Sequence, residues 1–219
     1  MTCRLGQMNR MRKFEKKVAD DYNFRFHKYG AKPEASLWFS EQRQLLRFEL
    51  IIKCIKNSSA PSFFDLNDIG CGYGGFLKQL QANFDKSQFC YRGFDLASEP
   101  IEYCKRHFGQ KGMSFFCGSI PSIHADFNIM SGTFNYAPGL TLGAWKEYLF
   151  SSLNSTWSIT RHSMIFNLMI SEQARITPQS ISYIEKEAVI NFCQKNLGET
   201  STYFSSKLSK EITFCVQKR

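Results

Sequence analysis

The sequence predicts an α/β protein in which helices pack against both faces of a mostly parallel sheet. Three observations support this fold class. Short apolar runs alternate with amphipathic stretches from Phe63 onward, a glycine-rich turn follows the first run, and two strand-like runs close the chain. The 219 residues suffice for one such domain with a terminal extension, and 43% hydrophobic and 21% charged residues are ordinary for a folded protein.

The elements are expected in the following order. The first 32 or so residues are basic and weakly periodic, and Pro33 marks a turn before a helix from about Leu37 to Lys56. The pattern then predicts strands near 64–69, 89–95, 113–117, 126–131 and 163–169, and helices near 75–85, 98–108, 140–156 and 180–196. Residues 200–204 and 212–216 predict a closing antiparallel hairpin. We expect a basic extension or lid over 1–35 and a main domain over 36–219.

Charge and cysteine usage limit the function classes. The net charge is +9, and clustered basic residues near the N-terminus suit either a nucleic acid partner or a solvated helix face. The eight cysteines are dispersed without a Cys-x-x-Cys pair, which predicts neither a metal site nor a disulfide framework. No apolar run approaches the length of a membrane span and no secretory signal is evident, so a cytoplasmic protein without a membrane partner is expected. The sequence does not indicate an oligomeric state.

The segment 67–76, Asn-Asp-Ile-Gly-Cys-Gly-Tyr-Gly-Gly-Phe, is the most informative part of the chain. Glycines between a strand and a helix let a ligand approach the backbone, and Gly70, Gly72 and Gly75 satisfy the G-x-G-x-x-G pattern of dinucleotide-binding folds. Asp95 ends the next predicted strand and can accept hydrogen bonds from both hydroxyls of a ribose. Together these features predict an adenosine-type ligand, although Asp95 as a simple helix cap remains an alternative.

Asp68 favours S-adenosylmethionine over a dinucleotide as the adenosine-type ligand. A carboxylate two residues before the first glycine would repel a pyrophosphate and suits a cationic ligand such as S-adenosylmethionine. With these features the chain resembles the class I S-adenosylmethionine-dependent methyltransferases from about Ala35 to its C-terminus. The resemblance implies a three-layer Rossmann-like sandwich. Its seven-stranded, mostly parallel sheet would have the order 3-2-1-4-5-7-6, with strand 7 antiparallel, and would follow an N-terminal helical extension.

The resemblance also implies a set of cofactor-binding residues. Asp68, Gly70 and Gly72 would surround the methionine moiety, and Asp95 would hold the ribose. Ser119 stands where the family often has an acid that meets the adenine, so it is either a contact to the base or a turn residue. The full set comprises Asp68, Gly70, Cys71, Gly72, Gly74, Phe76, Asp95, Leu96, Gly118, Ser119, Ile120, Ser131 and Gly132.

Candidate acceptor-binding residues lie upstream of the glycine turn and after the fourth and fifth strands. They are Tyr29, Trp38, Arg47, Asn135, Tyr136 and Asn167. The two asparagines would converge at one rim of the sheet, or would be core amides satisfied by backbone groups. The catalytic residue is not identified; His27, Tyr29 and Asn135 are weak candidates, and a single histidine such as His27 is more often structural than catalytic.

The expected reaction is methyl transfer from S-adenosylmethionine to an oxygen or nitrogen atom of a small molecule, with S-adenosylhomocysteine as product. Near-attack positioning can supply about 7 to 11 kcal/mol, so a strong protein base is not required. An RNA or protein methyltransferase that uses the basic N-terminus is the main alternative. A nicotinamide-dependent oxidoreductase and a non-catalytic cofactor-binding protein are the other two.

Overall fold

The computed structural model describes residues 2–37, 40–59, 61–119 and 121–218. Six α-helices are present in this part of the chain: α1 (Thr2–Tyr29), α2 (Glu41–Asn57), α3 (Gly75–Asn83), α4 (Ser98–Phe108), α5 (Leu142–Ser158) and α6 (Lys186–Asn196). Short 3-10 helices occupy Pro33–Ser36 and Ser206–Leu208. The strands are β1 (Phe64–Ile69), β2 (Phe89–Asp95), β3 (Met113–Cys117), β4 (Ala125–Met130), β5 (Thr160–Met169), β6 (Arg175–Ile176), β7 (Ser182–Tyr183), β8 (Glu199–Tyr203) and β9 (Glu211–Gln217).

Seven strands form one sheet in the order β3-β2-β1-β4-β5-β9-β8. The first five strands of the chain pair in parallel, and β9 is antiparallel to both β5 and β8. This confirms the predicted α/β class. It also confirms the predicted strand order once the two-stranded β6–β7 ribbon, which lies outside the sheet, is left out of the numbering. The closing hairpin of β8 and β9 is likewise confirmed.

Three predicted boundaries were wrong by three residues or more. The helix predicted from Leu37 begins at Glu41. The helix predicted from residue 180 begins at Lys186, because Ser182 and Tyr183 pair with the segment Arg175–Ile176 in the β6–β7 ribbon. Strand β5 begins at Thr160, three residues before the predicted start. In these last two cases strand pairing decided the boundary, and the periodicity of a single segment does not report such pairing.

The sheet buries one apolar cluster on each face. Helices α2, α3 and α4 cover one face, where the fully buried residues include Ile51, Leu66, Leu77, Leu80 and Ile101. Helices α5 and α6 cover the other, with Trp145, Leu149, Phe166, Val189 and Phe214 in its core. Each such side chain contributes about 1.5–3 kcal/mol on burial, so the two clusters fix the strands whose ends carry the site.

Helix α1 lies across the carboxyl ends of the strands. It is attached at three places along its length: Tyr148 of α5 donates a hydrogen bond to Glu15 (3.3 Å), Tyr136 donates to Asp21 (2.8 Å), and the amide of Glu99 donates to Asn23 (2.9 Å). The helix therefore bridges from α5 to α4 over the open edge of the sheet. None of the helices in the described part of the chain has both the length and the apolar character that a bilayer span requires.

Candidate functional site

A cavity of about 450 Å³ lies between α1 and the carboxyl ends of the strands. It opens where the strand order reverses between β1 and β4, which is where open α/β sheets bind their ligands. The strand ends and the loops after them supply its floor, and α1 supplies its roof. Residues from β1, β2, β4, β5 and β9 or from the loops after them line it, including Gly70, Gly72, Asp95, Ser131, Gly132, Asn135, Met169 and Glu211.

The glycine turn after β1 forms one wall of the cavity. Gly70, Gly72 and Gly74 have φ values of +81°, +52° and +80°, a conformation that favours glycine. A Cβ atom on Gly70 would lie 2.8 Å from the hydroxyl oxygen of Thr133. The turn is fixed to β2, because the amides of Gly70 and Cys71 both donate to the Phe94 carbonyl. Bare backbone therefore faces the cavity at Gly70 and Gly72.

Asp95 ends β2 and lines the cavity beside this turn. Its Oδ2 accepts a hydrogen bond from the Gly72 amide and its Oδ1 accepts one from the Ala97 amide, each at 2.8 Å. Burial raises the pKa of Asp95, while the amide bonds from Ala97, Gly72 and Leu96 act in the opposite direction. Because a carboxylate offers about four acceptor positions, it can hold the turn and still accept bonds from a ligand's hydroxyls.

Asp68 is enclosed behind the turn and does not line the cavity. The hydroxyl of Tyr91 donates to its Oδ2 at 2.6 Å. Burial raises the pKa of Asp68 to about 7; the Tyr91 bond lowers it and the charge of Asp95 raises it further. The structure therefore places Asp68, which the sequence predicts beside a methionine moiety, behind the turn and outside the lining of the cavity.

A buried ion pair joins α2 to β9 at the other end of the cavity. Arg47 and Glu211 are both buried, and the Nε of Arg47 lies 2.9 Å from Oε2 of Glu211. Burial lowers the pKa of Arg47 to about 10, and Glu211 opposes this effect. Arg43, one helical turn before Arg47, lies 3.6 Å from the other oxygen of Glu211. Three charged side chains, two of them buried, thus meet at the ends of β5 and β9.

The loop after β4 lies between the ion pair and the glycine turn. The Gly132 amide donates to the side-chain oxygen of Asn167 (2.7 Å), and the Thr133 hydroxyl donates to the Ile69 carbonyl (2.6 Å). The side-chain oxygen of Asn135 accepts a bond from the Met169 amide (3.2 Å). In contrast, Ser131 lines the cavity, and within the described residues its buried hydroxyl oxygen has no hydrogen-bond partner. A bound molecule can supply that partner.

Aromatic residues form the roof and the deepest part of the cavity. Tyr22 of α1 packs edge-on against Tyr136, with ring centroids 5.9 Å apart, and burial raises its pKa far above the usual value. The indole nitrogen of Trp145 donates to the Phe134 carbonyl at 2.9 Å. The cavity thus combines polar strand ends with an apolar cover, which is typical of small-molecule sites.

The structure brings most of the predicted cofactor residues to the cavity. Eight of them line it: Gly70, Gly72, Asp95, Leu96, Gly118, Ser119, Ser131 and Gly132. Cys71, Gly74 and Phe76, like Asp68, are not among the lining residues. The predicted Ile120 lies outside the described residues.

Some of the predicted acceptor-binding and catalytic residues also line the cavity, and others do not. Arg47, Asn135 and Tyr136 line the cavity, whereas Asn167 lies behind it and holds the Gly132 amide. Tyr29 packs with Arg25 and Lys28 and does not line the cavity. His27 is exposed on α1 and also does not line it, so the arrangement does not support His27 or Tyr29 as a catalytic base. Trp38 lies outside the described residues.

The sequence interpretation missed several lining residues. Phe14, Val18 and Tyr22 lie four residues apart on the α1 face that lines the cavity. Their spacing was the available signal, because an apolar stripe within a basic helix indicates a buried face. Arg43 and Glu211 had no such signal, because their proximity depends on the packing of α2 against β9.

Comparison with known proteins gives relatives of one class. No family model matches the chain. A Mycobacterium tuberculosis protein named "Putative methyltransferase" is 26% identical over 166 residues, which are 75% of this chain and 98% of that protein. A fatty-acid O-methyltransferase of Mycolicibacterium smegmatis is 28% identical over 102 residues, but the match spans only 36% of that enzyme.

Two solved structures share the fold over nearly the whole chain. A SAM-dependent methyltransferase of Leishmania major has a TM-score of 0.68 at 13% identity, covering 94% of this chain and 83% of its own. The magnesium protoporphyrin IX methyltransferase of Synechocystis, solved with bound SAH, has a TM-score of 0.64 at 12% identity, with coverage of 93% and 99%. By fold, strand order and similarity, the chain resembles the class I S-adenosylmethionine-dependent methyltransferases, and S-adenosylmethionine is the cofactor of that class.

Proposed function

We propose that this protein transfers the methyl group of S-adenosylmethionine to an oxygen or nitrogen atom of a small-molecule acceptor. The observation that carries the proposal is the cavity under α1, onto which the glycine turn, Asp95 and the loop after β4 all open. The Mycobacterium tuberculosis relative supports the activity, since the match extends over 98% of its length. The enclosed shape of the site favours a small acceptor over a macromolecule.

The residues of the cavity fit this cofactor. Gly70 and Gly72 offer bare backbone, and Asp95 offers acceptor positions to the ribose hydroxyls. The unpartnered hydroxyl of Ser131 is a buried polar group that a bound ligand would satisfy. Arg47 lies against Gly132, and its positive charge would attract the methionine carboxylate. When bound, the cofactor supplies an electrophilic methyl group on a sulfonium.

The protein's own part in the reaction is to bind, orient and exclude water. Helix α1 covers the cavity with Phe14, Val18, Tyr22 and Phe26, and it would serve as a lid that keeps water from the reacting groups. Asn135 is held by the Met169 amide and lines the acceptor end. No histidine lines the cavity within the described residues, so positioning is expected to supply most of the rate enhancement.

Two glycine variants test the cofactor assignment. Gly70→Ala places a Cβ on a residue with φ of +81°, where that atom would lie 2.8 Å from the Thr133 hydroxyl oxygen. Gly143→Ala is the matched control, because its Cβ meets no atom within 4 Å in α5. Titration calorimetry should show S-adenosylhomocysteine binding to the wild type and to Gly143→Ala, with at least a tenfold loss for Gly70→Ala. Absence of binding to the wild type would defeat the proposal.

An RNA acceptor is the alternative that the net charge of +9 suggests. On α1, however, Lys16 pairs with Asp20 at 3.0 Å and Lys17 pairs with Asp21, so part of the basic helix is neutralised locally. Fluorescence anisotropy with a labelled RNA at low and high salt distinguishes the two acceptors. Strong, salt-dependent binding would favour RNA, because released counterions give a steep salt slope.

A further inference from the structure

The acceptor end of the cavity is cationic on one side and apolar on the other. From this arrangement we infer that the acceptor is an apolar monocarboxylic acid and that its carboxylate receives the methyl group. The inference rests on the proposed function, because it assumes that the cofactor occupies the part of the cavity formed by β1, β2 and the loop after β4. It adds the chemical class of the acceptor and the atom that reacts.

The sheet order locates the acceptor end. Asp95 ends β2, and Ser131 follows β4, so the proposed cofactor residues occupy one half of the strand-end edge. Beyond β4 come β5 and β9, whose ends and flanking loops contribute Met169, Lys210 and Glu211 to the cavity. The acceptor therefore lies over β5 and β9, next to Asn135.

The side facing α2 carries excess positive charge. Arg43, Arg47 and Lys210 line it together with a single carboxylate, Glu211. Glu211 is held closely by Arg47, and Arg43 lies farther away at 3.6 Å with its side chain 45% exposed. Within the described residues, no carboxylate forms an ion pair with the exposed Lys210 ammonium. Arg43 and Lys210 both line the cavity, so their positive charge would favour an anion bound there.

The side facing α5 is largely apolar, and two of its polar groups have partners within the protein. Phe14, Val18 and Ile181 line it, and the Trp145 indole donates to a backbone carbonyl at 2.9 Å. The Tyr148 hydroxyl donates to Glu15 at 3.3 Å. This side therefore favours the binding of an apolar part of a ligand. The volume of about 450 Å³ is shared with the cofactor, which limits the acceptor to a short chain or a single ring.

The ionisable groups favour a carboxylate over an alcohol or amine as the nucleophile. A carboxylic acid is already ionised at neutral pH, since its pKa is near 4, whereas an alcohol or ammonium must first lose a proton. No histidine lines the cavity within the described residues, and Glu211 is engaged by two arginines. In the inferred step, a carboxylate oxygen bonds to the methyl carbon while the carbon–sulfur bond breaks and its electron pair stays on sulfur. The products are a methyl ester and S-adenosylhomocysteine, and no proton moves.

Ligand binding to the S-adenosylhomocysteine complex tests the inference without requiring turnover. Octanoate and 3-phenylpropanoate are compared by calorimetry with their neutral counterparts octanamide and 1-octanol. We expect the acids to bind at least tenfold more tightly than the neutral compounds. The double variant Arg43→Gln/Lys210→Gln should lose this preference while its affinity for S-adenosylhomocysteine stays within twofold, and Arg43→Lys/Lys210→Arg should restore it. Lys86→Gln, in the exposed loop between α3 and β2, is the control for loss of charge elsewhere.

A second measurement follows label from methyl-tritiated S-adenosylmethionine into an alkali-labile, organic-extractable product. Esters should form from the acids and not from the neutral compounds. If S-adenosylhomocysteine binds but the acids bind no better than the neutral compounds, or do not bind, the inference is overturned and the proposed function stands. If S-adenosylhomocysteine itself does not bind, the proposed function fails and the inference fails with it.

Discussion

The two ends of the central sheet contain the same kinds of polar residue in opposite situations. At the amino-terminal half, Asp65 is bound by Arg92 at 2.9 Å and by Arg161 at 3.0 Å. At the carboxyl edge, Asp95 and the Arg47–Glu211 pair line a cavity. The charged groups of the first arrangement bind only one another, so we call it the closed end of the sheet. Those of the second also line a cavity that a ligand can enter, so we call it the open end.

The interior of the amino-terminal half shows the same closure. The side-chain nitrogen of Asn67 donates to the side-chain oxygen of Asn128 (2.9 Å) and to the Ile123 carbonyl (2.8 Å). The side-chain nitrogen of Asn128 in turn donates to the hydroxyl of Thr160 (3.0 Å). At the carboxyl edge, the Ser131 hydroxyl has no partner within the described residues. Buried polar groups that hydrogen-bond to one another contribute to stability. A buried polar group without a partner in the protein indicates a place where a ligand binds. Variants at the two ends should therefore change different measured quantities.

The largest effect is expected for the ion pair between α2 and β9. Arg47→Met leaves Glu211 buried without its principal partner, and breaking a buried pair costs about 3–5 kcal/mol of unfolding free energy. Urea unfolding followed by circular dichroism measures this cost. The double variant Arg47→Met/Glu211→Leu should recover most of it, because neither charge is then left alone. A loss below about 1 kcal/mol for the single variant would show that this pair is not a buried structural element.

The next effect should separate binding from stability. Asp95→Asn removes the charge that would accept the ribose hydroxyls, and two such charge-assisted bonds correspond to about 3 kcal/mol, or roughly a hundredfold in the affinity for S-adenosylhomocysteine. Calorimetry gives the affinity, and a thermal melt shows whether the fold persists. An unchanged affinity for S-adenosylhomocysteine would show that Asp95 does not bind the ribose. The proposed difference in role between the two ends of the sheet would then lose one of its supports.

Asp68 should make the stability depend on pH. Its pKa in the folded protein is raised to about 7, so the folded state holds a proton that the unfolded chain releases near pH 4. Stability is therefore expected to fall as the pH rises, and the Asp68 contribution between pH 5 and pH 8 should be roughly 2–3 kcal/mol. Urea unfolding at several pH values checks this. Asp68→Asn should flatten the curve, and an equally steep curve for that variant would assign the effect to another group.

The smallest effect is expected at the amino-terminal half. Asp65→Asn weakens bonds to Arg92 and Arg161 that are partly exposed, so about 1 kcal/mol of unfolding free energy should be lost. The affinity for S-adenosylhomocysteine should stay within twofold of the wild type. A large loss of affinity would contradict the separation between a closed end and an open end.

Sequence alone was sufficient where neighbouring residues carry the signal. The alternation of strands and helices, the glycine turn and the acid at Asp95 depend on segments that are short and continuous. Strand periodicity and the need for glycine at positive φ are local properties, and the order of elements in the resembled family then gave the sheet. The eight predicted cofactor residues that line the cavity all belong to such segments.

Tertiary structure decided what depends on segments that are distant in sequence. Arg47 and Glu211 are 164 residues apart, and the packing of α2 against β9 brings them together. The tertiary structure also encloses Asp68 against Tyr91 and leaves His27 exposed on α1. A linear sequence motif reports neither placement. The sequence therefore determined the fold, the glycine turn and the acid beside it. The chemistry of the acceptor end was decided in three dimensions, because charge, burial and cavity shape there arise from strand ends and helices that meet only in the folded chain.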